Sequence, residues 1–96
     1  MMKEKALPVL VTTEHRGVFF GYQSEPMNGT NINLIDMRCC IYWDVSVKGF
    51  VGLAAHGPNN KCKIGPKANG TLFGVTSIIH VSPEAVAKWE AAPWST

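Results

Sequence analysis

Apolar and polar residues alternate along much of the chain with the two-residue period of β-strands. Within residues 18–22, for example, Val18, Phe20 and Tyr22 fall on one face of an extended chain and Phe19 falls on the other. Similar short apolar or alternating runs occupy residues 9–13, 32–34, 37–43, 50–55 and 72–81. Short runs at this spacing predict five or six strands, as in a small barrel or sandwich.

Turn residues separate these runs. The Asn28-Gly29 and Asn69-Gly70 pairs predict tight turns. Gly74 predicts a bulge in the last strand. Within residues 56–67, two Gly-Pro steps bracket a short polar segment. Because proline cannot donate to a central ladder, we expect this segment at a sheet edge or in a surface loop.

One helix is indicated, near the carboxyl end. Ser82 is a suitable N-cap, Pro83 fits the first helical position, and Glu84 favours the positive end of the helix dipole. Val86 and Trp89 are spaced three residues apart, so they share a helix face that can pack on the sheet.

These elements predict one domain, residues 1–96, of the mainly β class. The expected architecture is an SH3-like or OB-like β barrel of five or six strands with one C-terminal α-helix. The alternative is an open α+β sheet with the helix covering one face. Because unpaired edge strands of so small a sheet need protection, we also expect a homo-oligomer.

Composition indicates where this domain is located and in which redox state its cysteines are. Of the 96 residues, 46% are apolar, but no apolar run approaches the roughly 20 residues of a membrane helix, so no membrane partner is expected. The amino-terminal residues contain no apolar stretch of secretory type, which predicts a cytoplasmic protein. Cys39 and Cys40 are adjacent and point to opposite faces of a strand, so we expect them and Cys62 to be free thiols.

The charge is unevenly distributed. The formal net charge of +2 is too small for a protein whose main partner is a long phosphate backbone, so nucleic acid is not the favoured partner. Residues 45–83 contain no carboxylate and four lysines, which are Lys48, Lys61, Lys63 and Lys67. A cleft in this half would favour an anion. The alternative is that these lysines only solvate loops and edge strands.

Recognisable catalytic and metal-binding patterns are absent from the sequence. His15, His56 and His80 are scattered, and no nucleophile lies beside a base in a known arrangement. The CxxC and HxxxH pairs of zinc sites are missing. We therefore expect a protein that is not an enzyme and that has no catalytic residue, metal or cofactor.

Aromatic side chains suggest how a small ligand is held, because nucleobases stack on flat rings. Strand alternation predicts that Phe19 and Trp43 are exposed enough to stack, whereas Phe20 and Tyr42 lie inside.

Polar and basic residues complete the expected ligand site. Arg16, in the predicted first hairpin turn, is free to hold a phosphate with its planar guanidinium. Backbone amides of a tight turn at residues 59–61, beside three lysines, predict an anion nest, although an ordinary edge hairpin explains the segment equally well. The candidate ligand-binding residues are Arg16, Phe19, Trp43, Asn59, Asn60, Lys61, Lys63 and Lys67.

Four blocks carry a resemblance to a known group of proteins. They are residues 15–21 (HRGVFFG), 38–43 (RCCIYW), 52–58 (GLAAHGP) and 62–66 (CKIGP). In these blocks the chain resembles a family of small proteins of tailed bacteriophages and prophages, over roughly residues 9–90. The resemblance implies a phage protein acting in the bacterial host cytoplasm. It implies no activity and transfers no site residue.

Phage origin suggests the leading functional hypothesis by analogy of context. Small phage proteins of oligomeric, β-rich build include anti-defence sponges that sequester nucleotide immune signals. We therefore expect binding, without turnover, of a small phosphorylated nucleotide, either a cyclic ADP-ribose isomer or a cyclic oligonucleotide. The alternatives are a protein-directed inhibitor of a host factor and a single-strand nucleic-acid-binding module.

Overall fold

The computed structural model describes residues 6–14, 17–43 and 49–92. In these residues the chain forms six strands and two helices. In chain order they are β1 (Leu7–Thr13), β2 (Val18–Gln23), β3 (Ile32–Tyr42), α1 (Gly49–His56), β4 (Lys63–Ile64), β5 (Ala68–Leu72), β6 (Val75–His80) and α2 (Pro83–Ala91).

The strands form one antiparallel sheet that curls without closing. Its order is β4-β3-β2-β1-β6, and β5 pairs with β3 beside β4. Only Phe73 and Gly74 separate β5 from β6, although these two strands pair with β3 and β1 respectively. The predicted class, mainly β with a C-terminal helix, is confirmed, while the sheet remains open rather than closing into a barrel.

Each face of the sheet covers its own apolar cluster. The cluster under the helices contains ten buried residues, which are Leu10, Val18, Phe20, Cys40, Leu53, Ala54, Ile64, Val81, Ala85 and Trp89. The cluster on the opposite face contains four, which are Val9, Val11, Ile32 and Leu34. Strand alternation explains the division, since neighbouring residues of β1 enter different clusters. We call these the helix-side cluster and the strand-side cluster.

A bulge in β3 decides which of its side chains face the helices. Asp36 adopts a left-handed conformation with φ of 52°, and the pairing of β3 with both β2 and β5 shifts register around it. Before the bulge, Leu34 enters the strand-side cluster; after it, Cys40 enters the helix-side cluster. Cys39 and Cys40 are free thiols, as is Cys62.

The prediction of a strand at residues 50–55 is wrong, because these residues form α1. Gly52, Leu53 and Ala54 are buried. The small size of Gly52 and Ala54 allows the helix to pack closely on the sheet. The predicted turn at Asn69-Gly70 is also wrong, since both residues belong to β5. The single strand predicted for residues 72–81 is divided at Gly74, whose φ is 69°.

The helix α2 agrees with its sequence signals. Ser82 accepts a hydrogen bond from the Ala85 N–H and donates one to the Ala55 carbonyl, so the same side chain caps α2 and ties it to α1. Trp89 is fully buried and its ring stacks on Phe20 with centroids 5.1 Å apart. Neither helix of the described residues is long and apolar enough to cross a membrane.

Gly57, the residue directly after α1, packs against α2 so closely that a side chain cannot be accommodated. Its φ is 85°, and a Cβ there would lie 2.8 Å from the Lys88 Cβ and 3.1 Å from the Ala85 carbonyl oxygen. We expect Gly57→Ala to lower the free energy of unfolding by about 2–4 kcal/mol, because backbone strain and overpacking add. Urea denaturation followed by circular dichroism measures this loss.

Gly29→Ala is the matched control for this substitution. Gly29 also has a positive φ, 65°, but a Cβ at this position would meet no atom within 4 Å. We expect the control to lose about 1 kcal/mol, the cost of a left-handed alanine alone. Equal losses in the two variants would show that the helix junction is not tightly packed.

Candidate functional site

A surface groove lies where the β1–β2 hairpin, the end of β3, the start of α1 and strand β6 meet. Its volume is about 350 Å³. Seven described residues line it, which are Thr12, Gly17, Val18, Trp43, Phe50, Thr76 and Ser77. A volume of this size lies at the lower end of the range for small-molecule sites, roughly 300–1,000 Å³.

Two aromatic rings form the apolar wall of the groove. Trp43, directly after β3, is half-buried and packs against the helix-side cluster. Phe50 lies in the first turn of α1 and is 38% exposed. Both rings line the groove and remain at least partly accessible, and Trp43 is also held by its packing against the helix-side cluster. Accessible flat rings are what stacking on a planar ligand requires.

Hydroxyl groups form the opposite, polar wall. The Thr12 and Thr76 hydroxyls lie 2.7 Å apart and hydrogen-bond to each other across the β1–β6 pair. Ser77 stands opposite Thr12 in the same ladder. Gly17 contributes backbone only, and a Cβ there would meet the Phe19 ring at 2.5 Å.

The aromatic predictions have different outcomes. Trp43 lines the groove, whereas Phe19 packs against the strand-side cluster on the other face of the sheet. Phe20 is buried as predicted, but Tyr42 is 50% exposed and its predicted interior position is wrong. Tyr42 is the last residue of β3 and lies opposite Lys63 of the two-residue strand β4.

Of the three amides in the expected anion nest, at residues 59–61, that of Lys61 is engaged within the turn. The Lys61 N–H donates to Asn59 Oδ1 at 3.0 Å, and the Cys62 N–H donates to the Asn59 carbonyl at 3.1 Å. These two amides are therefore engaged within the turn. Asn59 and Asn60 instead line a separate open depression of about 250 Å³ beside α2.

The predicted basic residues do not converge on the groove. Lys67 forms an ion pair with Glu90 of α2. Lys61 and Lys63 are exposed, beside and within β4, and neither forms an ion pair with a described residue. Arg16 lies outside the described residues. Of the seven predicted ligand-binding residues that are described, the structure brings only Trp43 into the groove; a binding role for the other six and for Arg16 stays a prediction.

A second cavity, of about 140 Å³, is lined by Ala6, Tyr22, Ile35 and Glu90. Its polar groups serve the fold. The Tyr22 hydroxyl donates to Glu90 Oε2, and Lys67 contacts Glu90 Oε1. Burial, and then the Glu90 carboxylate, raise the pKa of Tyr22 above its usual value. The carboxylate therefore anchors α2 to the sheet, which leaves the Trp43 groove as the better ligand site.

Neither thiol chemistry nor a metal centre is assembled in the described residues. Burial raises the pKa of Cys39, and burial followed by the neighbouring thiols raises the pKa of Cys40 to about 12. A thiol with so high a pKa is a poor nucleophile at neutral pH. In the described residues no three His, Cys, Asp or Glu side chains are grouped so that they could hold a metal ion.

Sequence reasoning missed Phe50 and the threonine hydroxyls as groove residues. Phe50 was assigned to a strand, although Gly49 and Gly57 bound the segment and Phe50, Leu53 and Ala54 follow helical spacing. That spacing is compatible with a helix, but over so short an apolar run it does not exclude a strand. No sequence signal places Thr12 beside Thr76, because 64 residues separate them.

Among known proteins, one family matches most of the chain. Residues 6–89 match the family described as Domain of unknown function (DUF6948). The chain belongs to this family. The DUF6948 match includes every described groove residue, from Thr12 to Ser77. No curated protein and no solved structure matches the chain.

Proposed function

We propose that the protein binds a small phosphorylated nucleotide in the Trp43–Phe50 groove and holds it without turning it over. In this proposal it is a phage anti-defence protein, and the ligand is an immune signal of the host cytoplasm, either a cyclic ADP-ribose isomer or a cyclic oligonucleotide. The observation that carries the proposal is the pair of partly exposed rings that wall one concave site.

Stacking supplies enough energy for such a site. A base that stacks on an aromatic side chain gains about 1–3 kcal/mol, and this gain does not depend on the identity of the base. The hydroxyl of Ser77, together with the bonded Thr12–Thr76 pair, offers donors and acceptors to a ribose or phosphate on the opposite wall. The groove therefore combines a flat apolar wall and a polar wall, as nucleotide sites require.

A second candidate function, inhibition of a host protein, is favoured by exposed apolar side chains. Ile41 and Tyr42 at the end of β3 are 60% and 50% exposed, and Phe73 is 66% exposed. Adjacent exposed apolar residues at a sheet end are suited to a protein partner. Copurification of one host protein, lost in Ile41→Ser, would favour this function.

A thermal-shift panel of cyclic dinucleotides, cyclic trinucleotides and cyclic ADP-ribose isomers tests the proposal. At about 100 times its dissociation constant a ligand stabilises the protein by about 2.7 kcal/mol, which raises the Tm of a domain this size by about 10–20 °C. In Trp43→Ala we expect binding of that ligand to weaken about 5- to 150-fold, the equivalent of one stacked base.

Phe73→Ala is the control, because Phe73 is more exposed than Phe50 but lies outside the groove. It should bind the ligand like the unmodified protein. Mass spectrometry of ligand released by denaturation should return the compound intact. A panel without a shift, or a shift that Trp43→Ala leaves unchanged, would refute the proposal. Binding to oligonucleotides with a steep salt dependence would instead identify a single-strand nucleic-acid module.

A further inference from the structure

The two edges of the sheet differ in how they are protected. Along the outside of β3, residues 63–72 form β4 and β5 and carry Lys63, Pro66 and Lys67. Lysine and proline are the residues that natural sheets place on edges to prevent pairing with another chain. This edge is therefore blocked at β4 and along the connection to β5, although β5 itself (Ala68–Leu72) carries neither residue type.

The β6 edge carries no such protection. β6 pairs with β1 on one side, and no described strand pairs with its other side, where the Val75 N–H donates to the Thr30 carbonyl at 3.0 Å. All six of its residues are at least partly exposed, and none of them is a lysine, arginine, carboxylate, proline or glycine. Beyond Val75, an edge of β-branched and hydroxyl side chains that ends at His80 is competent for strand pairing.

We infer that β6 pairs with β6 of a second copy of this chain, antiparallel and about a two-fold axis. This edge is complementary to itself, because it carries no lysine, arginine or carboxylate that would meet its own copy across the axis. Partly exposed Ile78 and Ile79 lie on opposite faces of the strand, so both faces of the joint gain apolar contacts.

This pairing places the ligand site at the subunit boundary. Thr76 and Ser77 belong to β6 and also line the groove. The neighbouring strand of the partner therefore runs about 4.8 Å away, the spacing of paired strands. Because the two-fold axis of such a pair is perpendicular to the sheet, both grooves open on the same face, next to each other.

The two-fold symmetry of the dimer also indicates which class of nucleotide binds; this inference rests on the proposed function. Two adjacent grooves related by a two-fold axis present one pair of stacking rings for each of two bases. A two-fold symmetric cyclic dinucleotide matches this arrangement better than a ligand with a single base. We therefore expect one cyclic dinucleotide to bind per two chains.

Light scattering after gel filtration, without ligand, tests the dimer. We expect the unmodified protein to show twice the 10.5 kDa mass of the chain. Thr76→Lys places a charge on the β6 edge and should give a monomer. Thr71→Lys, the same change at an exposed position of β5, should remain dimeric. A monomeric unmodified protein, or a dimeric Thr76→Lys variant, would overturn the inference.

Hydrogen exchange gives a second measurement that needs no substitution. In the dimer, the outward amides of β6 are bonded to the partner strand, so their protection should rise with protein concentration. Protection that is independent of concentration would overturn the pairing. Calorimetric titration with a cyclic dinucleotide then reports on the ligand. One ligand per chain in a proven dimer would overturn the shared site. Absence of cyclic dinucleotide binding would overturn the ligand class inferred here, whereas the proposed function fails only if no compound of the thermal-shift panel binds.

Discussion

Trp89→Ala is expected to lower the free energy of unfolding by about 3–5 kcal/mol, the usual loss for truncating a fully buried tryptophan. The ring is inaccessible to solvent and stacks on Phe20, with an angle of 5° between the planes. Its Nε1 donates to the Leu53 carbonyl at 3.1 Å, so one side chain joins α2, α1 and the sheet. Urea denaturation monitored by circular dichroism measures the loss.

Trp89→Phe separates packing from hydrogen bonding. Phenylalanine keeps an aromatic ring against Phe20 and loses the N–H donor. The Leu53 carbonyl still accepts a bond from the Gly57 N–H, so it is not left unpaired. We expect this variant to lose about 1–2 kcal/mol. If Trp89→Ala lost no more than Trp89→Phe, the helix-side cluster would not depend on this ring.

Arg38→Ala is expected to cost about 3–5 kcal/mol, because two carbonyls each lose a hydrogen bond from a charged donor, at roughly 1.5–3 kcal/mol for each bond. Arg38 is only 4% exposed. Its Nε donates to the Gly65 carbonyl and its Nη1 to the Trp89 carbonyl, each at 2.8 Å. Burial lowers the pKa of this guanidinium, and the charge of Glu90 opposes that effect. Removing the side chain leaves two carbonyls without these donors and opens a cavity between the sheet edge and α2.

Two further variants identify what the arginine contributes. Arg38→Lys keeps the charge but lacks the fork that reaches both carbonyls, so we expect about half of the alanine loss. Lys88→Ala removes a cation whose pairing with Glu84, at 3.7 Å, is exposed, and should cost less than about 0.5 kcal/mol. If Arg38→Ala were as mild as Lys88→Ala, the guanidinium would not be a structural link.

The carboxyl-terminal part of the fold was predictable because its signals are local. The cap at Ser82, proline at the next position and the spacing of Val86 and Trp89 act within one or two turns of the helix. Strand alternation in residues 18–22 was predictable for the same reason, since a half-buried strand must place its apolar residues on alternate positions.

The helix α1 and the bulge at Asp36 were not predictable in this way. Short apolar runs such as residues 50–55 fit a buried strand and a buried helix equally, and packing against α2 decides between them. A left-handed aspartate has no strong sequence signature. Its effect is large, however, because it moves the following residues of β3 to the opposite face.

The candidate site shows the same division. Trp43 was predicted as accessible and does line the groove, whereas Phe19, expected beside it, lies on the other face of the sheet. The lysines were correctly placed near an edge segment, but their convergence on one anion depended on the directions of separate side chains. Glu90, remote in sequence, pairs with Lys67 and removes it from that set.

The sequence by itself determined the mainly β class, the capped terminal helix and the blocked edge around the Gly-Pro steps, because each depends on residues that are neighbours in the chain. Only the tertiary structure decided the curl of the sheet, the helix α1 and the groove between Trp43 and Thr76. These features arise from contacts between segments far apart in sequence, where burial outweighs local preference.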